Sequence, residues 1–221
     1  EAGLLLQRGT AAEKRYRELL QRSCDIIDLA NLPEQDRHIA YRQLELRRLY
    51  VPLRIIVEVK VGEKSDDARW EAVEKRRIAR MKECYEEDIS GSDLPRRRER
   101  QRASIGERLM HSRRLVILGD PDSGKTTLTR WIATAYLLRL RHDQDWGDLP
   151  DVKTLPDKDW LPIVVRCRDL DEKCLNGSLD NILHHTLRKA ELTESEAKVL
   201  LETLHERLGA GTALLIFDGL D

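Results

Sequence analysis

The chain has 221 residues, room for one large domain or one domain and an appendage at roughly 100–200 residues per domain. Its 39 Lys and Arg are balanced by 40 Asp and Glu, which excludes a globally basic nucleic-acid binder and a strongly acidic solvating chain. Charged residues at 36% and aromatics at 5% suit a helix-rich, charge-laced protein, and 40% hydrophobic residues are too many for wholesale disorder.

No apolar run approaches the ~18 residues of a membrane span. The opening Glu1-Ala2-Gly3-Leu4-Leu5-Leu6 lacks the basic start and long apolar stretch of a secretory signal. With no initiator Met, the chain reads as a piece of a longer protein. Cys24, Cys84, Cys167 and Cys174 form no C-x-x-C pair, and no histidine stands at zinc-finger spacing from them. Free thiols in a reducing cytoplasm are therefore expected, rather than disulfides or a zinc site.

In chain order, residues 1–95 read as a mainly helical, polar lead-in. A helix is expected over 11–29, carried by Leu19, Leu20, Ile26, Ile27 and Leu29 and broken by Asn31-Leu32-Pro33. Pro33 suits the first turn of a second helix reaching about Arg48. Ile55, Val57, Val59 and Val61 alternate, which predicts a strand over 54–61. Residues 66–87 read as a third helix, and 89–95 (ISGSDLP) as a turn cluster and domain boundary.

Residues 96–114 carry eight arginines against Glu99 and Glu107. The favoured reading is the solvated face of a helical linker. The run Arg96, Arg97, Arg98, Arg100 and Arg102 is also a possible contact for nucleic acid, though without interleaved aromatics for stacking.

From residue 96 onward the pattern changes to α/β. Continuous apolar runs at 115–118 (LVIL), 163–165 (IVV) and 213–217 (ALLIF) suit strands buried on both faces, as in a parallel sheet. Between them, 125–139 repeats Leu128, Ile132, Ala135 and Leu138 at helical spacing, and Leu179, Ile182, Leu183 and Leu187 follow Ser178 as N-cap. Thr193-Glu194-Ser195-Glu196 is a capping box opening a helix with Ala197, Leu200, Leu201 and Leu204 on one face. Residues 143–159, with six Asp against two Lys, read as a surface loop.

Gly119-Asp120-Pro121-Asp122-Ser123-Gly124-Lys125-Thr126 matches G-x-x-x-x-G-K-[ST], and this composition yields about 0.003 such matches by chance. The spacing lets successive backbone N–H groups and a helix N-terminus converge on phosphate oxygens. Lys125 then reaches the β- and γ-phosphates, and the Thr126 hydroxyl binds Mg²⁺. Thr127, next in the chain, is counted with Gly119–Thr126 among the nucleotide-binding residues. Asp122 would repel nucleotide if it pointed inward; an outward side chain, or a positive φ that Asp tolerates, is favoured.

The run 213–218 ends in Asp218, where strand ends in open α/β sheets bind ligands. Asp218 is placed to hold Mg²⁺ beside Thr126, and Asp221 to polarise the attacking water. The alternative for either acid is ordinary turn chemistry at a strand end. Arg166 and Arg168 close the middle strand. They could face phosphate or a neighbouring subunit, but pairing with Asp169 or Asp171 is favoured. His111, His142, His184 and His185 have no metal-spaced partners and read as surface histidines.

With both motifs in hand, the chain resembles the NACHT family of signal-transduction NTPases. The likeness lies in 119–128 (GDPDSGKTTL), 161–170 (LPIVVRCRDL) and 214–221 (LLIFDGLD), with Asp122 where the family loop usually has Gly. It covers about residues 108–221 and extends more weakly to 49–53 (LYVPL), making Tyr50 and Val51 candidate adenine contacts, against the alternative of a packed Tyr and Val at a helix end.

The resemblance implies a three-layer P-loop NTPase sheet over 96–221, incomplete in this piece. The strand between the two motif strands would come from sequence beyond Asp221, so the piece alone is expected to be poorly stable. The resemblance also implies an ATP/ADP- and Mg²⁺-binding, slowly hydrolysing switch. Such a switch forms homo-oligomers once an activating ligand is sensed, in defence or cell-death signalling. The absence of an N-K-x-D guanine-reading motif agrees with adenine. The alternatives are a P-loop ATPase doing nucleic-acid-stimulated work and a non-catalytic nucleotide-binding scaffold.

Overall fold

A computed structural model describes residues 2–27, 44–60 and 98–219. The helix expected over 66–87, the turn cluster 89–95 and most of the helix expected over 33–48 lie outside them. Two compact units result: Glu1–Val51 with Ile117–Val152 and Asp157–Asp221, and Pro52–Val116 with Lys153–Pro156. This grouping differs from a division at residue 95, because the first helix packs on the helix Lys125–Leu140.

In the larger unit, α1 (Ala2–Asp25) runs into a two-residue strand β1 (Ile26–Ile27), which pairs antiparallel with β2 (Leu44–Glu45), and α2 (Leu46–Leu49) follows. The first helix therefore ends at Asp25 rather than 29. Arg130 donates to the carbonyls of Cys24 (2.9 Å) and Ile26 (2.6 Å), satisfying acceptors that a helix end leaves open. Freed of the helix, Ile26 and Ile27 pair with residues that were expected to be helical. The buried Asp25 carboxylate accepts the Arg47 N–H (3.1 Å), and burial pushes its pKa up.

The central helix α4 (Lys125–Leu140) buries nine residues, from Leu128 and Trp131 to Leu138. It is covered by α1 and by the strands β5 (Leu161–Arg166) and β6 (Ala213–Asp218), so its apolar residues are not confined to one stripe. Here α3 denotes the helix Ile105–His111 of the smaller unit. Glu13, 5% exposed, accepts from Nη2 (2.8 Å) and Nε (3.0 Å) of Arg207 and pairs with Arg17 (2.9 Å). This cluster ties α1 to α7 (Glu194–Gly209).

Strands β5 and β6 pair in parallel, from Leu161↔Ala213 to Arg166↔Asp218. Parallel neighbours need a long crossover, supplied by α5 (Glu172–Leu175), α6 (Leu179–Lys189) and α7. The expected caps are present. Ser178 accepts from the Asn181 N–H, and Thr193 and Glu196 complete the capping box. Leu183, Leu187, Leu200 and Leu204 are buried as the spacing requires.

The protein is thus mixed α/β, but among the described residues its parallel sheet has two strands, and the other two sheets are two-stranded and antiparallel. The run 115–118 is not a strand. Val116 (75%) and Leu118 (78%) are exposed, and no described residue forms a ladder with them. Residues 143–159 form short 3-10 turns, held where Arg139 binds Asp157 and Asp159.

In the smaller unit, β3 (Ile55–Lys60) pairs antiparallel with β4 (Arg98–Ala103). Within the arginine-rich segment, residues 98–103 are therefore a strand where a helical linker was expected, whereas Ile105–His111 are helical. The strand's R-E-R-Q-R-A alternation has a period of two, which fits a pleated strand rather than a helix face. The capping box of Ser104 and Glu107 then opens α3. Gly106 lies so close to the Thr154 backbone that a Cβ would come within 2.3 Å of it.

Candidate functional site

The loop Gly119–Gly124 sits at the N-terminus of α4. Asp120 O accepts the Ser123 N–H (3.2 Å), folding the loop into a turn. Gly124 is the N-cap with φ 86°, a left-handed conformation that costs glycine little. Gly119 leaves room for Ser123, whose Oγ would lie 2.8 Å from any Cβ there. Lys125 Nζ donates to the carbonyls of Gly119 (2.7 Å) and Asp120 (2.9 Å), which holds the ammonium over the loop.

Asp122 is exposed and adopts φ 60°, the positive φ foreseen for it. Asp tolerates this conformation better than most residues, and glycine adopts it with less strain still. Asp122→Gly is expected to relieve that strain and remove a carboxylate from the loop. Mg²⁺-ATP affinity should rise several-fold in calorimetric titration; an unchanged affinity would mean that the carboxylate does not act on the nucleotide.

Thr126 and Asp218 meet: the Thr126 hydroxyl donates to Asp218 Oδ1 at 3.0 Å, across 92 residues of sequence. Two separate local features make this contact. The helix begins one residue before Thr126, and β6 ends at Asp218, where Gly219 (φ 77°) turns the chain away. A hydroxyl beside a carboxylate is a hard-oxygen donor pair suited to Mg²⁺, which takes one or two protein oxygens and keeps waters. Asp221 lies outside the described residues.

Tyr50 caps α2 and is buried, with its ring stacked on Trp131 of α4 (centroids 4.8 Å apart, planes 14° apart). One of its faces is therefore taken by packing, whereas Val51 is 74% exposed. Trp131 stands five residues after Thr126, about 7.5 Å along the helix. The Tyr50–Val51 turn thus flanks the first part of α4.

Neither Arg166 nor Arg168 forms the expected ion pair with Asp169 or Asp171 among the described residues. Asp171 instead caps α5, accepting the Cys174 N–H at 2.8 Å. Burial first, and then the nearby Asp218 carboxylate, push the Cys167 thiol up, so it is no ready nucleophile.

Sequence spacing missed one cluster. Asp171, Cys174 and His185 place possible ligand atoms within 4.8 Å of one another. Each already has a role in the fold. A side-chain hydrogen bond with Asp171 is the main cause that raises the Cys174 pKa, and His185 Nε2 bonds the Asp169 carbonyl at 2.9 Å. Cys24, Cys167 and Cys174 are free thiols, and Cys84 lies outside the described residues.

Comparison with protein-family models, curated proteins and solved structures found no match. No helix among the described residues is long and apolar enough to cross a membrane.

Proposed function

We propose that this chain carries the nucleotide site of a Mg²⁺-dependent ATP-binding switch of NACHT type, which hydrolyses ATP slowly. One observation carries the reading: the Thr126–Asp218 hydrogen bond at 3.0 Å, set beside the Lys125 loop. The loop sequence alone suggests a phosphate cradle. The junction of its Thr with a distant strand-end acid adds a place for the metal.

In this reading the loop's backbone N–H groups and Lys125 bind the phosphates, while Thr126 and Asp218 hold Mg²⁺. Held by Thr126 and Asp218, Mg²⁺ would supply positive charge that offsets the charge of the phosphates. Val51, with Tyr50 behind it, lies toward the adenine. Asp221 orients the water for in-line attack on the γ-phosphate. Slow turnover and assembly into homo-oligomers on sensing an activating ligand rest on the family resemblance.

Asp218→Asn tests the metal role. The amide oxygen still accepts from Thr126, so the fold should hold, but the charge is lost. The variant is expected to bind ATP equally with Mg²⁺ or EDTA, and about tenfold or more below the wild-type Mg²⁺-ATP affinity. Retained Mg²⁺ dependence would remove Asp218 from the metal site.

A second reading, work on nucleic acid, draws on the β4 strand. Its backbone register pairs Arg98 with Lys60 and Arg102 with Ile56. Turnover stimulated by DNA or RNA, with steeply salt-dependent binding, would favour it. A scaffold that holds nucleotide without hydrolysis would instead bind ATP and never turn it over.

A further inference from the structure

We propose that Arg166 contacts the terminal phosphate of the bound nucleotide and gives the site its preference for triphosphate over diphosphate. This rests on the Mg²⁺-ATP reading of the loop. Arg166 is the last residue of β5 and stands in register with Asp218, the last residue of β6. Side chains at paired positions of a parallel ladder project to the same face, with strands about 4.8 Å apart. The Asp218 side chain is turned toward Thr126 at the head of α4. Arg166 therefore springs from the strand end beside the Thr126–Asp218 pair, on the same face of the sheet.

Arg166 is exposed, and no carboxylate among the described residues lies within ion-pair distance of it. It replaces neither Lys125, which covers the loop carbonyls, nor Arg130, which is engaged with Cys24 and Ile26 at the end of α1. Burial raises the Cys24 thiol and the Arg166 charge opposes that rise, so the guanidinium lies within electrostatic range of the end of α1. Arg168 lies past the strand, in the short turn Cys167–Asp169, and has no such register with Asp218.

The chemistry fits a terminal phosphate. A guanidinium offers paired N–H donors that match two phosphate oxygens, and it stays charged at any working pH. The metal-holding acid marks the side of the cradle where the β- and γ-phosphates lie. A cation beside that acid meets the γ-phosphate and has little to bind once that group has left.

The test compares Mg²⁺-ATP and Mg²⁺-ADP affinities of wild type, Arg166→Ala, Arg166→Lys and Lys125→Ala by calorimetric titration, with melting temperature recorded for each. Arg166→Ala is expected to weaken ATP about tenfold or more and ADP by less than threefold. Arg166→Lys should recover part of the loss, since the charge returns without the fork. Equal affinities in wild type and Arg166→Ala would overturn the proposal. So would equal weakening of ATP and ADP with a lowered melting temperature, the mark of a structural role. A wild type that binds neither nucleotide, or binds them no better than Lys125→Ala, would instead bring down the ATP reading itself and this proposal with it.

Discussion

Trp131→Ala is expected to destabilise the protein by about 3–5 kcal/mol, measured as a lowered urea midpoint with an unchanged slope. Trp131 is 1% exposed and sits in the middle of α4, between the Tyr50 ring and the rest of the core. Truncation removes the largest fully buried side chain and leaves Tyr50 facing a cavity. One term works the other way: the indole N–H is buried without a hydrogen-bond partner, so removing it relieves a small penalty. Trp131→Phe, which keeps a ring against Tyr50 and loses the orphan N–H, should therefore cost far less than alanine. A loss below about 1 kcal/mol for Trp131→Ala would mean that α4 is not the packed centre of its unit.

Lys125→Ala is expected to lower nucleotide affinity by about a hundredfold or more and leave the urea midpoint nearly unchanged. The two effects separate because the ammonium donates to the carbonyls of exposed Gly119 and Asp120, which water can serve once Lys125 is gone. The phosphates it would otherwise meet have no such substitute. Two hydrogen bonds from a charged donor, at about 1.5 kcal/mol or more each, amount to that fold-change. The measurement is Mg²⁺-ATP titration of wild type and variant; equal affinities would show that nucleotide, if bound, does not use the loop.

The local elements of the second half were legible where a cap or a long period marked them. Ser178 and the Thr193–Glu196 box name their helices because the backbone N–H groups they satisfy lie within three residues. The strands ending at Arg166 and Asp218 were legible for a different reason: short β-branched runs between helical segments have few other uses.

Elements that depend on a distant partner were not legible. The run 115–118 has the composition of a strand, but a strand exists only by pairing, and none of the described residues pairs with it. Residues 26–27 and 44–45 looked helical by period, yet tertiary contacts at Arg130 and Arg47 end the helix and make a short ladder. The arginines of 98–102 alternate with Glu99 and Gln101, but a strand with no apolar residue on either face until Ala103 carries no hydrophobic period by which to announce itself.

At the site, the loop and the Thr126–Asp218 junction were foreseen. Each motif fixes its own element, and the elements bring the two side chains together. Tyr50 was less clear, since stacking on Trp131 is a contact no spacing rule announces. The favoured pairing of Arg166 with Asp169 or Asp171 failed because sequence proximity ignores capping: Asp171 is already spent on the N-terminus of α5. Read through the strand register instead, Arg166 belongs beside Asp218.

The most direct test is titration of the protein with ATP, ADP and GTP, each in Mg²⁺ and again in EDTA. Tight binding of the adenine nucleotides, with ATP binding strengthened by Mg²⁺ and weaker binding of GTP, is the expected result. A protein that unfolds cooperatively yet binds no nucleotide in the presence of Mg²⁺ would contradict it, and the loop from Gly119 to Thr126 would then be a structural corner rather than a phosphate cradle.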